Sequence, residues 1–328
     1  METEILTVVE GAAGDRAIAR AAELLAAGRL VAFPTETVYG LGALALEPDA
    51  VRGIFAAKER PAFNPLIVHV PSAREARELV AAWPEAAERL AAAFWPGPLT
   101  FVLPKRAHVP DAVTAGLDAV AVRAPAHPVA QRLLAAAGRP VAAPSANRYT
   151  SISPTRAAHV QKSLGGRIDA ILDGGATPVG IESTVLDLTG PVPVLLRPGA
   201  VTREEIAAVV GAVELPAARP GEGAARPSPG MVKRHYAPDA RVTLFPAGRL
   251  PAIPPGARVG VIARAPRPAG AEVDAWLQLP DDPSGFARQI YGALHALEDA
   301  KVTDVFLEET PPGAAWDGVR DRLARAAG

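Results

Sequence analysis

The sequence predicts an α/β protein of two domains, on the evidence of its segment pattern, its length and its composition. Helical and extended segments alternate over the first two thirds of the chain, which is typical of α/β domains. The 328 residues correspond to about two domains of ordinary size. Hydrophobic residues make up 49% of the chain and charged residues 21%, which indicates a folded protein.

The first predicted helix and strand lie near the N-terminus. Asp15 is placed to cap a helix that carries Ile18 and Leu25 on its apolar side and ends at Gly28. The apolar segment 30–33 follows directly and predicts a short buried strand. This order of helix and strand is the first repeat of the α/β pattern.

The α/β pattern continues to about residue 211. A second amphipathic helix ends near Lys58, and segment 66–70 is the next predicted strand. Further strands are predicted over 99–103, 119–123, 141–143, 170–172, 183–188 and 194–196.

Two capping boxes predict the starts of two more helices. Ser72 precedes Glu75 by three residues, and Thr202 precedes Glu205 by the same spacing. The second of these helices is expected to end near Gly211.

A change in composition divides the chain. Segment 215–238 is rich in Pro, Gly, Ala and Arg and has no apolar period, as in linkers and functional covers. Beyond it, strands at 242–245, 259–263 and 302–307 and helices around 286–297 and after Trp316 predict a smaller α/β unit. We therefore predict domains at 1–212 and 239–328, joined by a linker at 213–238.

Composition excludes several classes of function. The chain has no cysteine, which removes disulfides, thiolate nucleophiles and cysteine-based metal sites. Its net charge of −1 gives no global basic field for nucleic acid or an anionic membrane. The longest apolar stretch, 90–104, is too short and too interrupted to span a membrane, and the N-terminus has no signal-peptide pattern. We expect a cytoplasmic protein without membrane contact.

Two common phosphate-binding motifs are absent or weak. There is no P-loop pattern. Segment 40–45 matches the spacing G-x-G-x-x-A, but no uninterrupted strand precedes it and Pro48 follows closely. A plain glycine turn is the default interpretation, with a dinucleotide site as the alternative.

Polar residues that follow apolar segments are the candidates for chemistry. They are Thr35, Lys58, Arg60, His69, Arg123, Ser145, Asn147, Ser153, Thr155, Ser183 and Arg197. Each has an ordinary structural interpretation: Lys58 and Arg60 at a solvated helix end, His69 as a satisfied core histidine, and Ser153 or Thr155 as a helix cap. Together they supply hydroxyls, amides and cations without an acid pair or a histidine cluster. This combination predicts a site for phosphates and a zwitterion, and neither a glycosidase nor a nucleophilic triad.

Five ordered motifs carry a family resemblance. They are FPTETVYGLG at 33–42, KERP at 58–61 with NPLIVH at 64–69, WPGPLT at 95–100, PSAN at 144–147 and EST at 182–184. With them the chain resembles the YrdC-like L-threonylcarbamoyladenylate synthases. SPGM at 228–231 and RHYAP at 234–238, with 90 residues after them, resemble the long two-domain form. The resemblance implies a YrdC-like twisted mixed sheet with helices, followed by a smaller Rossmann-like domain, with the linker covering the active site.

The resemblance also implies an activity and its partners. The family is made up of nucleotidyltransferases that join L-threonine, bicarbonate or CO2, and ATP with Mg²⁺ into threonylcarbamoyl-AMP and release pyrophosphate. The product is used in tRNA modification next to the anticodon, so a downstream tRNA threonylcarbamoyl transferase complex and a tRNA contact are implied partners. No organic cofactor and no dedicated protein ligands for the metal are implied.

The roles implied for individual residues fall into two groups. Lys58, Arg60, Ser145 and Asn147 match the catalytic set that holds phosphates and magnesium. Further matches to nucleotide-contacting positions are Asn64, Thr114, Ser153, Arg197 and Tyr236. Matches to positions around threonine and its carbamate are Thr35, His69, Arg123, Ala143 through its backbone, and Ser183.

Two positions depart from the family pattern. Glu59 stands between Lys58 and Arg60, where its charge would weaken phosphate binding if it faced inward, so we expect it to face solvent. Val232 and Lys233 replace a more usual basic and aromatic pair, which affects the path of the linker and leaves Tyr236 in place.

Two other functions are considered. The cations could line a concave surface that binds double-stranded RNA or tRNA without catalysis, with steep salt dependence. Near-zero net charge argues against this alternative. Carbamoyl transfer of the kind found in hydrogenase maturation proteins needs zinc-binding cysteines, which this chain lacks.

Overall fold

Two sheets organise the part of the chain that this computed structural model describes, which is residues 2–216 and 235–328. Residues 2–216 contribute a ten-stranded mixed sheet, and the C-terminal residues contribute a four-stranded parallel sheet. The strands of the large sheet are β1 (Glu4–Thr7), β2 (Val31–Pro34), β3 (Tyr39–Leu44), β4 (Ile67–His69), β5 (Leu99–Pro104), β6 (Ala119–Arg123), β7 (Val141–Ala142), β8 (Ala170–Asp173), β9 (Thr184–Asp187) and β10 (Val194–Arg197). Its helices are α1 (Ala12–Ala26), α2 (Pro48–Lys58), α3 (Ala73–Arg77), α4 (Glu85–Phe94), α5 (Asp111–Thr114), α6 (Pro128–Ala137), α7 (Ala157–Leu164) and α8 (Arg203–Val210).

The large sheet runs in the order β1-β8-β2-β3-β7-β4-β6-β5-β9-β10. Neighbouring strands are parallel in some pairs and antiparallel in others. For example, β2 is parallel to β8 and antiparallel to β3. Helices cover both faces: Val31 and Phe33 pack with α1 and α6, whereas Ala32 between them packs into the cluster that contains α2 and α4. The predicted α/β fold with a mixed sheet is confirmed.

The C-terminal unit is a smaller parallel α/β sheet. Its elements are β11 (Arg241–Phe245), β12 (Val259–Ala263), β13 (Ala275–Gln278), α9 (Pro283–Asp299), β14 (Asp304–Glu308) and α10 (Asp317–Ala327). The strand order is β11-β14-β12-β13, and every pairing is parallel. The predicted strands and helices of this unit are present, and β13 was not predicted because it is only four residues long and half-buried.

The glycine-rich segment after β2 is a strand, so the prediction of a plain glycine turn is wrong. β3 forms an antiparallel hairpin with β2. A Cβ atom on Gly42 would lie 2.9 Å from the Phe33 ring and 3.1 Å from the Val31 carbonyl oxygen. The glycine is therefore needed for close packing within the sheet.

Two predicted helix caps are wrong and one capping box is confirmed. α1 begins after Gly11, and Asp15 lies inside its first turn because the helix starts earlier than the apolar pattern indicates. α7 begins after Arg156 without a side-chain cap, so neither Ser153 nor Thr155 caps it. At α8, both hydrogen bonds of the Thr202 capping box are present.

The C-terminal unit packs directly against the large sheet domain. Side chains of α9 and α10 share one apolar cluster with Val38, Ile152 and Ile181. Lys162 of α7 forms ion pairs with Glu298 and Asp299 at the end of α9. The part of the large sheet domain that carries the candidate site therefore lies close to the contact with the C-terminal unit.

Part of the predicted linker, including SPGM at 228–231, Val232, Lys233 and Arg234, lies outside the described residues. The boundaries 1–212, 213–238 and 239–328 therefore stay predictions. In residues 2–216 and 235–328, no helix combines the length and apolarity needed to cross a bilayer.

Candidate active site

Polar side chains from distant segments meet at one cavity beside the β2–β3 hairpin. The residues expected from sequence that line it are Thr35, Arg60, His69, Arg123, Ala143, Ser145, Ser183, Arg197 and Tyr236. The free volume is about 50 Å³. Sites for small organic ligands usually have volumes of several hundred Å³, so this cavity is smaller than such a site.

One end of the cavity is rich in cations. Lys58 ends α2 and is almost fully buried, and its Nζ donates to the backbone oxygens of Ser145, at 2.6 Å, and Asn147. Burial lowers the pKa of Lys58 well below its ordinary value, and the Arg60 charge adds to this effect. The ammonium therefore lies in a dry position where an anion would stabilise its charge.

Arg60 lies in the cavity wall with spare hydrogen-bonding capacity. Its Nη2 donates to the Pro65 carbonyl at 3.2 Å, while its Nε is buried and has no partner among the described residues. The guanidinium lies 5.7 Å from the Tyr149 ring centroid. Burial lowers the pKa of Arg60 to about 10, so it remains charged at neutral pH. An unpaired buried donor of this kind is suited to an oxyanion.

Glu59, the departure in this motif, faces away from the cavity. It is the left-handed residue that ends α2, with φ of 54°, and its side chain is about half exposed at 51%. Its carboxylate pairs with Arg148 and Arg167. The expectation that Glu59 faces solvent is confirmed, and its charge is partly balanced on the outer surface.

The other end of the cavity has a buried ion pair that sequence reasoning did not find. Arg123 lies 2.7 Å from Glu36, and it donates to the Thr37 hydroxyl at 3.0 Å and the Gly97 carbonyl at 3.2 Å. Arg123 and Glu36 are 87 residues apart in sequence, so no local pattern joins them. The pair holds the Arg123 guanidinium at the cavity wall.

His69 is buried beside Arg123 and is neutral. Burial lowers the pKa of His69 to about 3, and the Arg123 charge acts in the same direction. Its Nδ1 is buried and has no hydrogen-bond partner among the described residues. A neutral imidazole here can donate or accept one hydrogen bond to a ligand.

Ser183, Arg197 and Ala143 supply backbone and hydroxyl groups between the two ends. The Ser183 hydroxyl is 2.8 Å from that of Thr100, and Arg197 donates to it at 3.1 Å and to the Ser183 carbonyl at 3.0 Å. The Ala143 amide donates to the Ile67 carbonyl at 2.9 Å.

Glu182 is a buried carboxylate in the cavity wall that was not included among the candidate residues. It accepts hydrogen bonds from Ser153 at 2.5 Å, Arg322 at 2.8 Å and Tyr291 at 3.0 Å. In the sequence, Glu182 is visible only as a single acidic residue between two apolar segments. Its role could not be predicted from this signal, because its partners on α9 and α10 are more than 100 residues away.

Residues just before the C-terminal unit close the cavity. His235 and Tyr236 line it, and the Tyr236 ring packs near Arg322 and Tyr291, at 5.3 Å and 5.9 Å. Tyr236 has a positive φ of 61°, which costs energy for a non-glycine residue. The predicted position of Tyr236 over the site is consistent with these contacts.

Some expected residues do not line the cavity. Asn64 donates to the Tyr149 hydroxyl at 3.3 Å, and Thr114 accepts from Lys105 at 3.1 Å on α5. Ser153 is directed toward Glu182, and the Asn147 side-chain oxygen is buried without a partner in the described part of the chain. The lining of the cavity therefore does not include five of the expected residues, which are Lys58, Asn64, Thr114, Asn147 and Ser153.

Two family models account for nearly the whole chain. The model for the Sua5, YciO and YrdC proteins, described as "Telomere recombination", matches residues 23–199. The chain belongs to this Sua5/YciO/YrdC family. A second model, "Threonylcarbamoyl-AMP synthase, C-terminal domain", matches residues 201–328.

Two relatives that align over nearly the whole chain carry the same name. The threonylcarbamoyl-AMP synthase of Pyrococcus abyssi is 44% identical over 94% of this chain and 93% of its own length. The enzyme of the same name from Bacillus subtilis is 41% identical over 96% and 94%. The crystal structure of P. abyssi Sua5 complexed with L-threonine superposes with a TM-score of 0.90 at 42% identity, covering 99% of this chain and 98% of that one.

Proposed function

We propose that this chain is a threonylcarbamoyl-AMP synthase, a nucleotidyltransferase that acts on ATP, L-threonine and bicarbonate or CO2. The observation that carries the proposal is one cavity whose wall combines cations with hydroxyl groups. The cations are Arg60, Arg123 and Arg197, and the hydroxyls are those of Thr35, Ser145 and Ser183. Lys58 is buried next to this wall and donates to the Ser145 carbonyl. Full-length relatives of the family are named for this activity, and one is complexed with L-threonine.

The reaction needs two bond-forming steps. The threonine amine adds to the carbon of bicarbonate or CO2 to give a carbamate, with loss of water where bicarbonate is the source and of a proton where CO2 is the source. A carbamate oxygen then attacks the α-phosphorus of ATP, and the bond from that phosphorus to pyrophosphate breaks. Charge builds up on the phosphate oxygens in this step, and fixed cations stabilise it.

The cationic end is proposed to hold the nucleotide phosphates. Lys58 and Arg60 are buried and lack carboxylate partners among the described residues, so an incoming phosphate would complete their pairing. Asn64, Thr114, Ser145, Ser153, Arg197 and Tyr236 would complete the ATP contacts. The free volume of about 50 Å³ is smaller than a nucleotide needs, so the cavity has to widen for ATP to enter.

The opposite end is proposed to hold threonine and its carbamate. Arg123 would bind the carboxylate, because its planar guanidinium can donate two hydrogen bonds and is held in place by Glu36. His69, Thr35, Ser183 and the Ala143 carbonyl would contact the rest of the amino acid. Positioning of the reactants can account for about 7–11 kcal/mol of the barrier.

Mg²⁺ is proposed to enter with ATP. The described residues contain no group of three or more His, Asp or Glu side chains that could hold a metal ion. The unpaired Asn147 side-chain oxygen and the Ser145 hydroxyl are oxygen donors of the type that Mg²⁺ accepts alongside phosphates. When bound, the ion would neutralise phosphate charge.

The product is proposed to pass to a tRNA threonylcarbamoyl transferase complex, with a tRNA contact at that stage, in the cytoplasm. RNA binding without catalysis has no specific support at this site, because the cations are buried in a small cavity rather than spread over a surface. A phosphate backbone is recognised on an exposed basic surface.

Pyrophosphate release from ATP tests the function when each substrate is omitted in turn. We expect release only when threonine, bicarbonate and ATP with Mg²⁺ are all present. Equal release without threonine would contradict the proposal and indicate a general nucleotide hydrolase. Salt-dependent RNA binding without any pyrophosphate release would support the RNA-binding alternative.

A further inference from the structure

Arg322 of the last helix is a fully buried cation that reaches from the C-terminal unit into the other domain. Its side chain is 1% exposed, and its Nε donates to the Glu182 carboxylate at 2.8 Å. Two further nitrogens donate to the Pro198 carbonyl at 2.8 Å and the Glu182 carbonyl at 3.2 Å. A second acid, Asp321, lies 2.9 Å away.

Glu182 links this contact to the active site. Glu182 is one of the residues that line the cavity, and its carboxylate accepts a hydrogen bond from Ser153 at 2.5 Å. Burial raises the pKa of Glu182, but the Arg322 and Arg197 charges and the hydrogen bonds from Ser153 and Arg322 outweigh this effect. The pKa of Glu182 therefore lies below its ordinary value, and the group is an anion at neutral pH.

An anion in this wall has a consequence for nucleotide binding. ATP carries several negative charges, and the cavity is lined by Arg60 and Arg197, which would hold its phosphates. A nearby buried carboxylate without a counter-ion would repel those phosphates and weaken the effect of the cations. Arg322 supplies a counter-ion from outside the catalytic domain.

We propose that Arg322 is a positioning residue for the nucleotide site, which neutralises Glu182 and holds it so that it can fix Ser153. The proposal rests on the proposed function, and it assigns a task to the C-terminal domain: this domain completes the electrostatics of the site. Arg322 also lies 5.3 Å from the Tyr236 ring, so it supports the residue that covers the cavity.

Variants of the full-length chain separate this role from a purely structural one. The variants are Arg322→Met, the double variant Arg322→Met with Glu182→Gln, and the matched control Arg320→Met. Arg320 lies on the same helix, is 43% exposed and pairs with Asp317 at the surface. Affinity for Mg·ATP is measured by calorimetry, and folding is measured by thermal melting.

Arg322→Met is expected to weaken ATP binding by about tenfold or more, because Glu182 loses the cation that donates to its carboxylate and its negative charge is less well balanced. The double variant is expected to bind ATP within about threefold of the wild type, because a glutamine does not repel phosphate and still accepts from Ser153. Arg320→Met is expected to behave as the wild type. A purely structural role would lower the melting temperature of Arg322→Met and leave the ATP affinity of the folded protein unchanged.

Several results would overturn the proposal. These are unchanged ATP affinity in Arg322→Met, or a double variant that binds ATP as weakly as the single one. If Arg322→Met does not fold, the double variant decides alone: it must fold and bind ATP, and failure of either contradicts charge neutralisation. Wild-type enzyme that releases no pyrophosphate contradicts the proposed function instead, so the two failures are distinct.

Discussion

At the scale of single residues, the consecutive residues Glu59 and Arg60 lie in opposite environments, one facing solvent and one facing the cavity. Arg60 is 8% exposed and lines the cavity, whereas Glu59 points outward to Arg148 and Arg167. A left-handed turn at Glu59 separates the two directions. The motif KERP showed that cations were present, but their directions depend on this backbone turn, which the sequence pattern alone does not specify.

This difference predicts unequal effects of alanine substitution. Arg60→Ala is expected to lower kcat by about 100- to 1000-fold, the usual effect of losing a donor to developing charge, with the fold retained. Glu59→Ala is expected to change kcat by less than about twofold, because exposed ion pairs are weak. Steady-state pyrophosphate release measures both, and thermal melting controls for folding. The reverse ranking would show that the two side chains are assigned to the wrong sides.

Lys58 predicts a pH effect on ATP use. Its pKa is lowered by burial and by Arg60, and phosphate binding needs the charged form, so kcat/KM for ATP should fall as pH rises through this lowered pKa. The alkaline limb should therefore lie well below the ordinary lysine value of 10.5. Lys58→Arg should be slower and lack this limb, because arginine stays charged. If kcat/KM fell at the same alkaline pH in the wild type and in Lys58→Arg, the fall would belong to a group other than Lys58.

The site residues that could not be predicted from the sequence are those whose role depends on a partner far away in the chain. Thr35, Ser145 and Ser183 were found because hydroxyls at the ends of predicted strands are visible in the chain. Glu182 was not among the candidates, because its significance depends on Arg322, 140 positions away. Such pairs form through the tertiary fold and leave no local spacing.

At the scale of elements, strand and helix positions follow from apolar periodicity where burial is strong. The predicted strand at 119–123 coincides with β6, whose residues are nearly all buried. β3 was mistaken for a turn because Gly40 and Gly42 are read as turn residues, whereas the hairpin needs them to avoid the Phe33 ring and neighbouring side chains. Glycine at a close contact and glycine in a turn look alike in sequence.

The packing of α7 against α9 predicts acid sensitivity. His159 and His295 stack across this contact with ring centroids 3.8 Å apart. Burial lowers the pKa of each to about 4, and for His159 the neighbouring His295 adds to this effect. The unfolded state binds protons below its ordinary pKa of 6.5 while the folded state does not, so stability should fall as pH drops from about 6.5 to 4.

Thermal melting as a function of pH checks this prediction. His159→Gln should reduce the loss of melting temperature over this range, since it removes one of the protons taken up on unfolding. His108→Gln is the matched control because His108 is exposed, and it should leave the slope unchanged. The other buried histidines also contribute to the slope, so the difference between the two variants is the relevant quantity. Equal slopes would contradict the role of the stacked pair.

At the scale of the whole molecule, the C-terminal unit completes the domain that carries the site. The apolar cluster shared with Val38 and Ile181, the Lys162 ion pairs and the Glu182–Arg322 pair all cross between the two units. A two-domain chain was predictable from length and composition. The direction from which the second domain meets the first was not, because it depends on surfaces formed only after folding.

These contacts predict the result of truncation. A chain that ends at residue 212 would expose Val38 and Ile181, leave Glu182 without its arginine and lose Tyr236 from the cavity. We expect lower stability and a loss of most pyrophosphate release, because water enters the site and an unpaired anion remains. Melting temperature and release rate measure the two effects. Full activity of the truncated chain would contradict a role for this domain at the site.

The central claim is that one cavity brings ATP, threonine and a one-carbon unit together. The most direct measurement incubates the full-length chain with ATP labelled at the α-phosphorus and with labelled bicarbonate, and separates the products by chromatography. We predict a single compound that carries both labels and forms only when threonine is present. AMP that carries the phosphorus label alone, at the same rate with and without threonine, would contradict the account.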